Sequence, residues 1–279
     1  MRKNSREEED VRKWFADEKG KYLSLLKQAH LVGNSVGNRQ ADTLRVIASW
    51  LYTRICVTAA SLSQLLEPQP TGYGDSRYLD HASISVVGRA LIENAAVLLY
   101  ACDHTLSADE WACRRALIDL HDFVNRSQFL PKLDPTTKDD FPPDHLQELK
   151  DRLSANAFFK TLPAKRQNTL LDGADMFVNG RHDAMLALGW GDDATRGIYK
   201  YLSNQAHTLA MAFHRTASNE LYKDESAGSR VTAAFALSFA RRALGASCLH
   251  MIALFPDIEL QFTELVLTAL RIEYRTVDS

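Results

Sequence analysis

The sequence predicts an all-α protein, a helical bundle of about eight or nine helices. Apolar residues recur at helical spacing along most of the 279 residues. Alternating runs of β-branched residues, the mark of half-buried strands, are nearly absent. The composition, 46% hydrophobic and 24% charged, is that of a chain that buries a core rather than a disordered one. The length permits one large domain or two small ones. The expectation is a single all-helical domain over residues 1–279, with an irregular excursion at about 131–144.

A first helix is expected over about residues 7–31, with Trp14, Leu23 and Leu26 in the core. It ends at "GNSVGN", residues 33–38, whose glycines and asparagines break helices. A second helix follows over about 40–66. Prolines and glycines make "EPQPTGYGDSRY", residues 67–78, a loop whose two tyrosines, Tyr73 and Tyr78, are available to pack over a neighbour. The third helix covers about 81–103. Ser107 with Glu110 three residues later has capping-box spacing and starts a fourth helix, to about 129.

The segment "PKLDPTTKDDFPPD", residues 131–144, is the least regular. Short helices are expected at about 145–153 and 164–175. "GWGDDATRGIYKYLSNQAH" opens on a glycine turn, offers Asp192 or Asp193 as N-cap, and launches a helix to about 222. Another, over about 229–254, is rich in Ala, Gly and Ser, so its neighbours approach closely. After Pro256 comes a last amphipathic helix. There is no internal repeat or low-complexity tract.

With 33 Lys and Arg against 35 Asp and Glu, the net charge is -2. No overall positive field therefore draws in nucleic acid or an anionic membrane, although a local basic patch is compatible with it. Cys56, Cys102, Cys113 and Cys248 form no CxxC pair, so neither a disulfide framework nor a thiolate metal site is expected. They read as reduced core thiols of a cytoplasmic protein. The charged "MRKNSREEEDVRKWF" lacks the apolar core of a signal peptide. The most apolar windows, residues 82–102 and 231–255, are interrupted by Arg89 and Glu93 and by Arg241 and Arg242. No membrane association is expected.

Those charges single out a polar stripe. At about 100° per residue, Ser85, Arg89, Glu93 and Tyr100 fall within roughly an 80° arc of the third helix. On the later helix Arg196, Tyr199, Ser203, His207 and His214 share roughly an 80° arc. This second stripe borders an apolar face of Ile198, Leu202, Ala206, Leu209 and Phe213, with Lys200, Asn204, Thr208 and Arg215 toward solvent. If the two helices are neighbours, Arg89, Glu93, Ser203 and His207 make one hydrogen-bonded cluster. In one reading it is a structural network fixing helix register. In the other, His207 titrates or contacts a ligand, Glu93 is its partner and Arg89 binds an anion, with Tyr199 and Ser203 among the ligand-binding residues.

"VGRALIENAA", followed about a hundred residues later by "IYKYLSNQAH", resembles a family of bacterial helical proteins of unknown function. Its pattern is R-x-x-x-E on one helix, then Y, L-S and H on a later one. The matching positions are Arg89, Glu93, Tyr199 or Tyr201, Ser203 and His207. That family is similar to the HEPN superfamily of helical bundles, which often act as dimers and include RNases with an R-x4-6-H motif. The resemblance implies a homodimer and an RNA or protein partner. "RRALIDLH" sets Arg114 and Arg115 at permitted spacings from His121, with Ala116 where those enzymes often carry a polar residue.

Two functions follow as expectations. The first is a binding or regulatory module acting near Arg89, Glu93, Tyr199, Ser203 and His207. The second is a metal-independent HEPN-type RNase, with His207 or His121 as acid/base and Arg115 stabilising phosphate charge. No cofactor or metal is expected. The prolines in "DDFPPD" forbid the regular helix of an acidic Mg²⁺ motif. Paired ExxH segments, a P-loop, a GxGxxG after a strand and a GxSxG elbow are all missing.

Overall fold

Helical periodicity is realised along the chain. The computed structural model describes residues 2–70, 72, 77–207, 210 and 226–275. Among the described residues it holds eleven α-helices and two 3-10 helices. The one sheet there is a two-residue antiparallel ribbon that pairs Gln69 with Tyr78 and Pro70 with Arg77. The protein is all-α. Helices beyond the expected eight or nine are short pieces, such as Ala157–Thr161 and Arg181–Leu186. Where the sequence reading carries one domain, contacts gather the chain into two compact units, Met1–Leu99 with Met185–Ser279, and Tyr100–Ala184.

In the first unit, α1 (Arg2–Val36) runs beyond its expected end. Gly33 continues the helix, and the break falls at Gly37, whose φ of 58° is the left-handed value that glycine tolerates. Its N–H reaches the Gly33 carbonyl at 3.2 Å, satisfying one of the helix's last acceptors. The buried stripe is Phe15, Glu18, Tyr22, Leu25, Leu26, Ala29, Val32 and Val36. Trp14 was expected in the core but is 37% exposed. One residue before Phe15, it lies about 100° off the stripe. Leu23 is half-buried, and Leu26 is buried as expected.

α2 (Thr43–Gln64) begins at Asp42, whose carboxylate accepts from the Arg45 N–H at 2.9 Å. Two buried tyrosines bind it to α1 in opposite directions: Tyr22 donates to the Ala59 carbonyl at 2.8 Å, and Tyr52 to the Ala29 carbonyl at 2.9 Å. After the ribbon comes α3 (His81–Ala101). Tyr78 is half-buried there, and Tyr73 lies outside the described residues. Thr43–Gln64 and His81–Ala101 are both long and apolar enough to cross a membrane by length and composition alone; only the second is among the two most apolar windows of the sequence analysis.

The second unit begins at the end of α3. Ser107 caps α4 (Ala108–Leu133), accepting from the Glu110 N–H at 3.2 Å. The Glu110 carboxylate turns to Arg114 at 2.7 Å, so only half of the capping box forms. α4 passes through Pro131 in its last turn. The irregular 131–144 stretch then resolves into a 3-10 helix, Pro135–Asp140, and the start of α5 (Pro143–Ala155). α6 (Ala157–Thr161) and α7 (Ala164–Leu171) follow. Leu117, Leu120, Phe123, Leu149, Leu153 and Phe159 form the core of this unit.

α8 (Arg181–Leu186) leads back to the first unit and to α9 (Asp192–Ala206). α10 (Ala227–Leu254) is buried along most of its length and capped by Ser226. A 3-10 turn, Pro256–Gln261, separates it from α11 (Glu264–Arg275), so the expected last helix is divided in two. Small residues let α3 approach α10: a Cβ on Gly88 would stand 3.6 Å from the Ala236 carbonyl oxygen and 3.8 Å from the Ala240 Cβ.

All four cysteines are free; Cys102, Cys113 and Cys248 are buried and Cys56 half-buried. Burial pushes the thiols of Cys56 and Cys113 up to about 11 and those of Cys102 and Cys248 up to about 12.

Candidate functional site

The two polar stripes meet. α9 starts at Gly191, which takes the N-cap position expected of an aspartate. Asp192 and Asp193 fall in the first turn instead, where the partial positive charge of the helix end favours them. Arg196 pairs back to Asp192 at 2.7 Å and so faces away from the cluster. That hydrogen bond raises the Arg196 pKa further. The described part of the helix ends at Ala206, with His207 as its C-cap and the His207 N–H on the Ser203 carbonyl at 3.0 Å. Thr208, Leu209, Phe213, His214, Arg215 and the expected continuation to 222 lie outside the described residues, except residue 210.

Arg89 reaches out from α3 and is mostly covered, with 15% of its side chain exposed. Its Nε donates to Glu93 Oε1 at 3.1 Å, the i,i+4 pair that their spacing implies. Nη2 donates to the Tyr199 hydroxyl at 2.9 Å, and the guanidinium carbon stands 4.8 Å from the centre of the Tyr199 ring. Nη1 lies 3.4 Å from His207 Nε2, which accepts when the imidazole is neutral. One guanidinium therefore engages a carboxylate on its own helix and a phenol and an imidazole on α9. Glu93 is 34% exposed and His207 is exposed.

Besides Arg196, three stripe residues do not join. Ser203 donates to the Tyr199 carbonyl at 2.7 Å, the local back-bond open to any helical serine. Ser85 is buried and donates to the His81 carbonyl at 2.8 Å. Tyr100 belongs to the second unit, where it donates to the Met176 carbonyl at 3.3 Å and accepts from the Val178 N–H at 2.9 Å. Of the two tyrosines that fit the family pattern, Tyr199 meets Arg89, while Tyr201 donates to Thr232 Oγ1 at 3.0 Å.

Arg115 and His121 stand apart. Six residues separate them, which turns them about 120° from one another around α4. Arg115 faces Asp119 at 3.6 Å. His121 Nδ1 sits 2.9 Å from the Gly173 carbonyl, which can only accept, so Nδ1 carries the proton. Asn125 Nδ2 lies 3.1 Å from the ring nitrogens and donates to the His121 carbonyl at 2.8 Å. Both ring nitrogens therefore have a polar neighbour within this unit. Arg114, the other permitted partner, binds the Tyr100 carbonyl at 2.8 Å and covers the Tyr100 ring at 4.3 Å.

In the sequence, Arg241 stands out only as an interruption of an apolar window. It forms a buried ion pair, with Nε 3.1 Å from Glu18 Oε2 and side chains 7% and 8% exposed. The signal was present: an arginine inside an Ala-rich core helix requires a carboxylate, and Glu18 lies within the buried stripe of α1. Among the described residues no group of three or more His, Cys, Asp or Glu side chains stands where it would hold a metal ion. Comparison with protein-family models, with curated proteins and with solved structures gave no match.

Proposed function

We propose that the chain is a non-catalytic binding or regulatory helical module, cytoplasmic and homodimeric, in which Arg89, Glu93, Tyr199 and His207 form a joint between α3 and α9. The observation that carries this reading is the engagement of Arg89, whose three guanidinium nitrogens each have a partner in the same chain. A phosphate arriving there would compete with Glu93 for a charge already matched. The group still offered to a protein or RNA partner is the exposed His207 imidazole. Four free thiols support a reducing compartment. The dimer and the RNA partner rest on the family resemblance. The use of Arg89 and Glu93 as an internal pair within α3 supports a role away from the membrane.

The RNase reading keeps one favourable observation, an exposed histidine beside an arginine at 3.4 Å. Incubating the protein with a mixed RNA pool in the presence of a chelator separates the two readings. The module reading expects the same slow background from the native protein, His207→Ala and His121→Ala. Cleavage that disappears in one histidine variant would replace it with a nuclease and name the acid/base group.

A further inference from the structure

Away from the Arg89 cluster, the first unit holds a cleft between the carboxyl-terminal half of α1 and the face of α2. It is a cavity of about 570 Å³ that adjoins a second of about 420 Å³, and Gly33, Asn34, Tyr52 and Thr53 line both. The volume is that of a small-molecule site. Gly33 keeps the floor open, because any larger side chain there would project beside the Tyr52 ring, which is 3.6 Å from the position of a Cβ.

The lining is chemically selective. Trp50 is 70% exposed at the rim, although tryptophan is highly buried on average. Asn34 and Asn38 also line the cleft and are exposed. Among the described residues neither amide has a hydrogen-bond partner, so each offers one acceptor and two donors. No carboxylate lines either cavity, so a cationic ligand finds no counter-charge. The one guanidinium, Arg39, is committed: Nε to the Val36 carbonyl at 2.6 Å, Nη2 to the Ser35 carbonyl at 2.8 Å and Nη1 to Asp257 at 2.6 Å. An anion gains little from it. What remains is a flat aromatic face next to amides that read mixed donor and acceptor edges.

We propose that this cleft binds an uncharged nucleobase-type heteroaromatic ring, stacked on Trp50 with its edge read by Asn34 and Asn38. The ring is that of a free nucleoside or of an unpaired base in a single strand. Stacking on an aromatic side chain is among the larger contributions available to base binding, and primary amides match the paired donor and acceptor of a purine edge.

Calorimetric titration of the full chain with each of the four ribonucleosides, with adenosine monophosphate, with a short single-stranded oligonucleotide and with maltose tests the proposal. At least one nucleoside should bind saturably at up to millimolar concentration, with its monophosphate no more than a few-fold tighter. Trp50→Ala should weaken it by about tenfold or more, Trp50→Phe should restore most of that, and Asn34→Ala and Asn38→Ala should each weaken it by about two- to tenfold. Trp50 is exposed, so its removal leaves the core intact. A strand that binds while free nucleosides bind weakly and with the same Trp50 dependence assigns the base to single-stranded nucleic acid. The proposal is overturned if no nucleoside or strand binds, if maltose alone binds, if Trp50→Ala binds normally, or if the monophosphate is preferred tenfold.

Discussion

Arg89 Nη2 donates to the Tyr199 hydroxyl at 2.9 Å while the same guanidinium lies over the Tyr199 ring, its carbon 4.8 Å from the centre. Two interactions therefore tie α3 to α9 at one side chain, and substitution separates them. Tyr199→Phe removes only the hydroxyl and should cost about 1 kcal/mol. Tyr199→Leu also removes the aromatic face and should cost roughly a further 0.5–1 kcal/mol. Urea denaturation of both variants measures the difference. Equal losses would mean that the ring contributes nothing beyond its hydroxyl.

Two arginine–glutamate pairs of the first unit, Arg241–Glu18 and Arg89–Glu93, differ in burial, and their stabilities should differ with it. Glu18→Ala leaves Arg241, 6% exposed, without its carboxylate and should destabilise by roughly 3–5 kcal/mol. Glu93→Ala leaves Arg89 with Tyr199 and His207 as acceptors, beside a carboxylate position already one-third exposed, and should cost only about 1 kcal/mol. Thermal unfolding of the two variants side by side tests the order, and a larger loss at Glu93 would reverse the roles assigned to the pairs.

Much of the architecture was legible because helical periodicity and caps are local signals. Ser107 was readable as a cap because the N–H it accepts from, that of Glu110, lies three residues away in sequence. The meeting of Arg89 with Tyr199 was legible in part: each helix showed a polar stripe beside an apolar face, and a charge there needs a partner. Their adjacency was not, because nothing in 110 residues of separation encodes it. Ser203 was misplaced for a physical reason, since sharing an arc with Tyr199 does not stop its hydroxyl from folding back on its own helix. Trp14 failed because hydrophobicity alone does not fix the phase of a long amphipathic helix, whereas Phe15 continues the buried stripe. The α1–α2 cleft was invisible, because a cavity is set by the distance between helices and not by either sequence.

His81 is 4% exposed at the start of α3, and burial holds its pKa below the usual histidine value, more strongly than the charge of Asp80 raises it. The folded state thus favours neutral imidazole, while the unfolded chain protonates near about 6.5. Its contribution to stability is present above that value and is lost as pH falls through the lower, folded pKa. Urea midpoints measured from pH 7 downward should decline, and His81→Gln should flatten part of the decline. An unchanged slope in the variant would assign the acid sensitivity to other groups.

Gly173 accepts the His121 Nδ1–H and has a φ of 72°. A Cβ there would stand 2.5 Å from a methyl of Val124, too close for any real contact. Gly173→Ala combines left-handed strain, about 1–2 kcal/mol, with a clash that must move Val124 or the turn. It should destabilise the second unit by at least about 2 kcal/mol. Gly173→Ala with Val124→Ala removes the clash but keeps the strain, and it should recover part of the loss beyond the cost of the smaller side chain. Hydrogen exchange reads the consequence at the site, where amides around His121 and Asn125 should lose protection before those of α10. Uniform protection in Gly173→Ala would mean that the turn adapts freely and that the His121 contact does not depend on a glycine.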